Sequence, residues 1–207
     1  MMKTRTKTTT AVTAILLAGA SVATSAASGD MLLRFGAHNV APKSNNHPVV
    51  NVDDGASLTL SGTYFMTDNV AVEVLGAVPF KHDIKLNADG SKVAETTHLP
   101  PTVTLQYHFA PDATTFRPYV GAGLNYTIFY DEKTKGALAG NKLSLDDSFG
   151  LSAEAGMDIA LNADWAVNLN VRWFDIDTDA RLGSTKLGTV EVDPWAYGVM
   201  LTRKLKF

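Results

Sequence analysis

The chain has 207 residues, of which 45% are hydrophobic, and its 18 basic and 21 acidic residues give a formal net charge of −3. The acidic balance argues against nucleic acid as a partner. Because cysteine is absent, neither a disulfide scaffold nor a thiolate metal site is available.

The N-terminus has the pattern of a secretory signal peptide. Residues 1–10 carry three basic side chains and no acidic one, a short apolar core follows, and small residues allow cleavage after Ala26 or Ala27. The core is too short for a membrane anchor, which needs about 20 apolar residues. We therefore expect residues 1–27 to be removed and 28–207 to form the mature protein. Loss of the three basic residues moves the formal charge to −6.

The mature chain contains eight stretches in which apolar and polar residues alternate, and this period of two predicts β-strands. In each stretch one face is apolar and the other carries small or polar residues. The stretches span residues 31–40, 56–66, 70–79, 102–109, 116–129, 149–159, 165–176 and 195–207.

The connections between these stretches alternate long and short, which is typical of an outer-membrane barrel with long extracellular loops and tight periplasmic turns. The charged residues within the strands lie on the polar face, apart from Arg203 near a strand end. A soluble eight-stranded barrel would instead turn its apolar face inward. The sequence therefore predicts an all-β, eight-stranded antiparallel transmembrane β-barrel. The last strand, 195–207, is apolar along one face from Trp195 to the terminal Phe207.

Several blocks of the sequence resemble the OmpW family of Gram-negative outer-membrane proteins. They are MLLRFGAHNVAPK, TYFMTDNVAVEVLGAVPFKHDI, HLPPTVTLQYHF, FRPYVGAGLNYTIFYD, DWAVNLNVRWFDIDT and DPWAYGVMLTRKLKF, in that order. The resemblance implies a narrow outer-membrane channel or binding protein that admits small hydrophobic molecules and releases them sideways into the membrane. It also implies outer-membrane lipid and lipopolysaccharide as surroundings. The alternative is a structural or adhesive receptor barrel that acts through its loops and has a filled, non-conducting lumen.

The inward-facing positions predict two layers in the lumen. The periplasmic half carries opposite charges that can form a paired polar plug: Arg34, Glu73, His108, Glu154, Asp158, Arg172 and Lys204. Arg172 stands where the family resemblance implies a bulky aromatic residue, and it could pair with Glu73 or meet the head group of an amphiphile. Toward the extracellular side the inward positions form an apolar chamber for ligand, although they could also pack against each other. They are Leu75, Ala77, Phe129, Phe174 and Ile176.

Three prolines are candidates for a lateral opening. Pro100 and Pro101 precede a strand and Pro118 lies within one. Proline donates no hydrogen bond to a ladder, so each could mark a gap in the wall. A strand start and a bulge are the alternative interpretation.

Catalysis and cofactor binding are not predicted. The five histidines, His38, His47, His82, His98 and His108, show neither a metal-ligand spacing nor an acid or serine partner that sequence can place. The terminal Phe207 resembles the signal by which barrel-assembly machinery recognises its substrates. We expect its deletion to impair membrane insertion.

Overall fold

A computed structural model describes residues 26–44 and 46–205 of the chain. Most of the predicted signal peptide and the terminal Phe207 lie outside the described residues. The predictions made for them therefore stay predictions. Within the described ranges no helix is long and apolar enough to cross a membrane.

The described chain is built almost entirely of β-strands. A single 3-10 turn, Gly136–Leu138, accompanies them. The strands are β1 (Met31–Ala41), β2 (Val50–Val52), β3 (Gly55–Phe65), β4 (Val70–Ala77), β5 (Phe80–Leu86), β6 (Lys92–Leu99), β7 (Thr102–His108), β8 (Phe116–Thr134), β9 (Leu143–Leu145), β10 (Ser148–Ala160), β11 (Trp165–Phe174), β12 (Asp177–Leu182), β13 (Thr185–Glu191) and β14 (Trp195–Leu205).

Eight of these strands close into an antiparallel barrel in the order β1, β3, β4, β7, β8, β10, β11 and β14. The last strand pairs with the first along its whole length, from Met31 opposite Leu205 to Ala41 opposite Trp195. Each of the eight corresponds to one stretch predicted from alternation. The predicted eight-stranded barrel is therefore confirmed.

Alternation along the strands separates an outer apolar face from an inner polar one. Leu60, Val74 and Leu105 are about half exposed, whereas the neighbouring Ser61 and Thr104 are buried in the lumen. Exposed aromatic residues lie at both ends of the apolar face, as expected for a barrel in lipid. They are Tyr64, Tyr107, Phe109 and Phe116 at the end with short turns, and Tyr126, Phe149, Trp195 and Tyr197 at the other.

The sequence interpretation missed strands within the long connections, which do not behave as loops. The hairpin of β5 and β6 pairs with the upper part of β8, and β2 adds to its edge. On the opposite side β9, β12 and β13 form a second small sheet. Both sheets prolong the barrel beyond its lipid-facing part. Charged residues interrupt the alternation in these segments, which is why we interpreted them as connections.

We predict that Leu60→Arg lowers the free energy of unfolding by about 2–4 kcal/mol, because Leu60 lies near the middle of the lipid-facing part of β3. Urea unfolding in lipid vesicles measures this change. Thr185→Arg is the matched control, since Thr185 is exposed at the start of β13. Equal destabilisation by both variants would contradict the assigned lipid face.

Candidate functional site

Five buried charged residues form a continuous chain of ion pairs across the lumen. Arg34 on β1 lies 2.9 Å from Asp158 on β10 and 3.4 Å from Glu73 on β4. Glu73 also pairs with Arg172 on β11 at 2.8 Å, and Arg172 pairs with Glu154 at 2.8 Å. The pairing of Arg172 with Glu73 was one of the two roles considered for Arg172 from the sequence.

Neutral polar groups occupy the remaining hydrogen-bonding positions around these carboxylates. Ser61 donates to Glu73 at 2.7 Å, Gln106 donates to Glu154 at 2.6 Å, and Asn168 donates to Asp158 at 2.9 Å. Buried charges are tolerated when they are paired and hydrogen-bonded in this way. We call the five charged residues and these three donors the plug.

The two other residues predicted for this layer lie beside the plug. His108 reaches it through Gln106, with 3.2 Å between His108 Nε2 and Gln106 Oε1. Lys204 lies at the periplasmic rim, where its ammonium is 2.6 Å from Asp30. Sequence reasoning missed Tyr119, which is buried, stacks on His108 and accepts a hydrogen bond from Asn168. Its position on β8 could have identified Tyr119 as inward-facing, since Arg117 and Gly121, two residues before and after it, also face the lumen.

An apolar layer covers the plug on its extracellular side. His38 marks the boundary, with its ring nitrogens 2.8 Å from Thr59 Oγ1 and from Asn170 Oδ1. Above it Leu75 and Phe174 pack in one cluster with Val40 and Ala196, and Ala77 packs against the cluster. Leu75, Ala77 and Phe174, which were predicted for the ligand chamber, are not among the residues that line the cavity described next.

A cavity of about 280 Å³ lies above this layer, between the two small sheets. Phe129 and Ile176, two of the residues predicted for a ligand chamber, line this cavity. Its other walls come from the segments that were interpreted as long connections from the sequence. These walls include Val50, Val52, Ile84, Leu86, Val93, Leu143, Leu145, Leu182 and Val190.

One wall of the cavity carries a stack of aromatic rings on the β5–β6 hairpin. His82 and His98 stack with 4.8 Å between ring centroids, and Phe80 stacks on His98 at 5.5 Å. The hairpin lies beyond the lipid-facing part of the barrel. Burial, followed by the neighbouring His82, lowers the pKa of His98 to about 3. Both factors keep this wall uncharged at neutral pH.

The prolines differ in their surroundings. Pro118 lies in an unbroken ladder, since β8 pairs with β10 from Phe116 to Thr127 and Phe109 N–H donates to the Pro118 carbonyl. The barrel wall is therefore paired on both sides of Pro118. Pro100 and Pro101 lie between β6 and β7, where pairing of β4 with β7 ends at Leu75 opposite Thr102.

Comparison with known proteins identifies the family. Residues 27–205 match the OmpW family. The chain belongs to the OmpW family. It is 40% identical over 208 residues to outer membrane protein W of Escherichia coli, covering 95% of this chain and 96% of that protein. The crystal structure of outer membrane protein OprG from Pseudomonas aeruginosa superposes with a TM-score of 0.80 at 32% identity, covering 89% of this chain and all of that one.

A more distant relative is PahQ of Pseudomonas aeruginosa, a dibenzothiophene metabolism operon protein. It is 25% identical over 161 residues, which is 74% of each chain. The family, together with the closed barrel and its apolar outer face, places this OmpW-family protein in the outer membrane. The predicted localisation and the predicted resemblance are both confirmed. The family is one of outer-membrane barrels rather than of enzymes.

We predict that Arg34→Met lowers the free energy of unfolding by about 3–5 kcal/mol, because it leaves Asp158 and Glu73 buried with fewer counter-charges. Arg181→Met is the matched control. It breaks a half-exposed pair with Asp146 in the extracellular sheet and should cost less than about 1 kcal/mol. Urea titrations of both variants in the same vesicles make the comparison, and similar losses would contradict a structural role for the plug.

Proposed function

We propose that this OmpW-family protein takes up small hydrophobic molecules and releases them sideways into the outer membrane. The observation that carries the proposal is the apolar cavity above a closed polar plug. Burial of each methylene group in such a cavity is worth about 0.8 kcal/mol. The name of the relative PahQ, which refers to dibenzothiophene metabolism, supports an apolar substrate.

The plug makes an axial route to the periplasm unfavourable. A ligand moving straight down would have to pass the packed layer of Leu75 and Phe174 and then separate the buried ion pairs. An apolar molecule offers those charges no replacement partner, so each broken pair would cost several kcal/mol. The route with the smaller penalty leads through the wall.

The seam between β4 and the Pro100–Pro101 segment is where the wall is weakest. On one side Val78 N–H donates to Leu58 on β3; on the other, the Pro101 carbonyl accepts from Tyr126 N–H on β8. Beyond Leu75, therefore, the β4 edge is hydrogen-bonded to β3 and the Pro100–Pro101 segment to β8, and the β4–β7 ladder does not continue between them. Gly76 shares the outward face with Val74 and Val78, and a Cβ atom there would meet no atom within 4 Å, so the outer surface of the seam is uncovered. Lateral release occurs at this seam.

A second candidate function is a structural or adhesive barrel that acts through its extracellular sheets. The packed layer at Leu75 and Phe174 favours it, because that layer fills the lumen directly below the cavity. In either function the barrel is surrounded by outer-membrane lipid and lipopolysaccharide, and Phe207 is the element that the barrel-assembly machinery recognises. Uptake measurements separate the two functions.

We predict that Ala180→Trp reduces uptake of n-octane and dibenzothiophene at least about tenfold, because Ala180 is a buried wall residue and an indole would occupy much of the cavity. Uptake is measured in a deletion strain that expresses each variant at equal surface level. Thr185→Trp, at an exposed position of β13, should behave like the unchanged protein. Unchanged uptake with Ala180→Trp would favour the adhesive function.

The seam can be tested with a disulfide, since the chain has no cysteine of its own. Gly76 and Pro101 would be opposite each other if the β4–β7 ladder continued. We expect the oxidised Gly76→Cys/Pro101→Cys pair to slow uptake and dithiothreitol to restore it. The control pair Val72→Cys/Leu105→Cys joins positions that already face each other in the ladder and should have no effect. Full uptake by the oxidised seam pair would disprove lateral release there.

A further inference from the structure

The polar side chains that line the cavity are mostly bonded to the protein itself. Thr127 donates to Asn125 at 2.7 Å, Thr178 donates to the Asp146 carbonyl at 2.6 Å, and His47 Nδ1 accepts from Val49 N–H at 3.2 Å. Two lining side chains have a fully buried polar atom with no hydrogen-bond partner among the described residues, namely His82 Nε2 and Thr96 Oγ1. Such groups are rare in proteins, because a buried polar group that stays unpaired destabilises the fold.

The hydrogen bond on the other side of the imidazole fixes the role of His82 Nε2. His82 Nδ1 lies 2.6 Å from the backbone carbonyl oxygen of Asp53, which can only accept. Nδ1 therefore carries the proton, and in the neutral ring Nε2 is an acceptor. Burial is the largest cause that lowers the pKa of His82, so the ring stays neutral. Stacking on His98 and close contact with Gly55 hold it in place.

The two unpartnered groups are neighbours. His82 on β5 and Thr96 on β6 are directly opposite in the antiparallel ladder, so their side chains lie on the same face. Cβ atoms of such a pair are about 4.5–5.5 Å apart. One small polar group can therefore reach both. The His82 position requires a donor, while the Thr96 hydroxyl can both donate and accept.

We infer that the cavity selects apolar molecules that carry one hydroxyl group, namely alcohols and phenols. The ligand O–H donates to His82 Nε2, and its oxygen accepts from the Thr96 hydroxyl. A hydrocarbon leaves both groups unpaired, and an ether can accept from Thr96 but cannot donate to His82. This inference rests on the proposed function, because it names the substrate class of the same cavity.

Both groups are covered in the ligand-free protein, although their side chains form part of the cavity wall. In the proposed complex the Thr96 side chain rotates, so that the ligand hydroxyl reaches both groups from the cavity. The competing arrangement is one in which the same rotation lets Thr96 donate to His82 Nε2. In that arrangement a ligand hydroxyl gains nothing, and the cavity does not discriminate.

Three ligands with nine non-hydrogen atoms test the inference: 1-octanol, heptyl methyl ether and n-nonane. Each is titrated into the whole protein in lipid nanodiscs, with dissociation constants expressed as mole fraction in the membrane. Nitrogen-15 signals of labelled histidine report binding. We expect 1-octanol to bind about five- to tenfold more tightly than the ether or the alkane. Its binding should also move the His82 Nε2 signal toward that of a hydrogen-bonded acceptor.

Two variants remove one partner each. Thr96→Val replaces the hydroxyl with a methyl group of similar size, and His82→Asn keeps a donor for the Asp53 carbonyl but has no acceptor in place of Nε2. In both variants 1-octanol should bind no more tightly than the ether or the alkane, so that the ratio of dissociation constants is about 1, while alkane binding persists. Thr96→Ser should retain the preference. Equal binding of all three ligands to the unchanged protein would overturn the hydroxyl inference alone, whereas binding of none would overturn the proposed function as well.

Discussion

The structure depends on the requirement that every backbone N–H and C=O group at membrane depth finds a partner inside the protein. The pairing of β14 with β1 along eleven residue pairs meets this requirement by removing the last free sheet edge. Closure also fixes the register. A shift of one residue would turn Arg34 toward lipid and Phe35 into the lumen, so register, lipid face and plug are specified together.

Closure of eight strands leaves a lumen wide enough for side chains and little else. The protein fills its lower part with charges, because inward positions next to one another on different strands can carry opposite signs. Two guanidinium groups meet three carboxylates in the chain from Asp158 to Glu154. Removal of one member leaves others buried without a partner, so the plug acts as one unit. It separates the extracellular cavity from the periplasm.

Alternation with a period of two predicted the barrel strands and which residues of each strand face the lumen. It does so because a charged side chain on the lipid-facing side at mid-membrane is strongly destabilising. It therefore identified Arg34, Glu73, Glu154, Asp158 and Arg172 as inward. It could not place the cavity. Outside the membrane, residues such as Ile84 and Leu143 are buried by contacts between segments that are distant in the sequence. Charged residues at the water-facing positions also interrupt the alternation by which the strands would be recognised. Pro118 shows a further limit, since a ladder can accommodate a proline whose carbonyl still accepts.

The position of the cavity bears on the proposed route of the ligand. Had the chamber been bounded by Leu75 and Phe174, its floor would have been the plug and its walls the lipid-facing strands. Because these two residues pack together and do not line the cavity, the cavity lies above them, between the small sheets. In the proposed function a ligand held between the small sheets therefore lies above a packed layer and the plug rather than above an open pore. In the proposed function the extracellular strands that form the cavity walls hold the ligand, and lateral release delivers it to the hydrocarbon phase in which it is soluble.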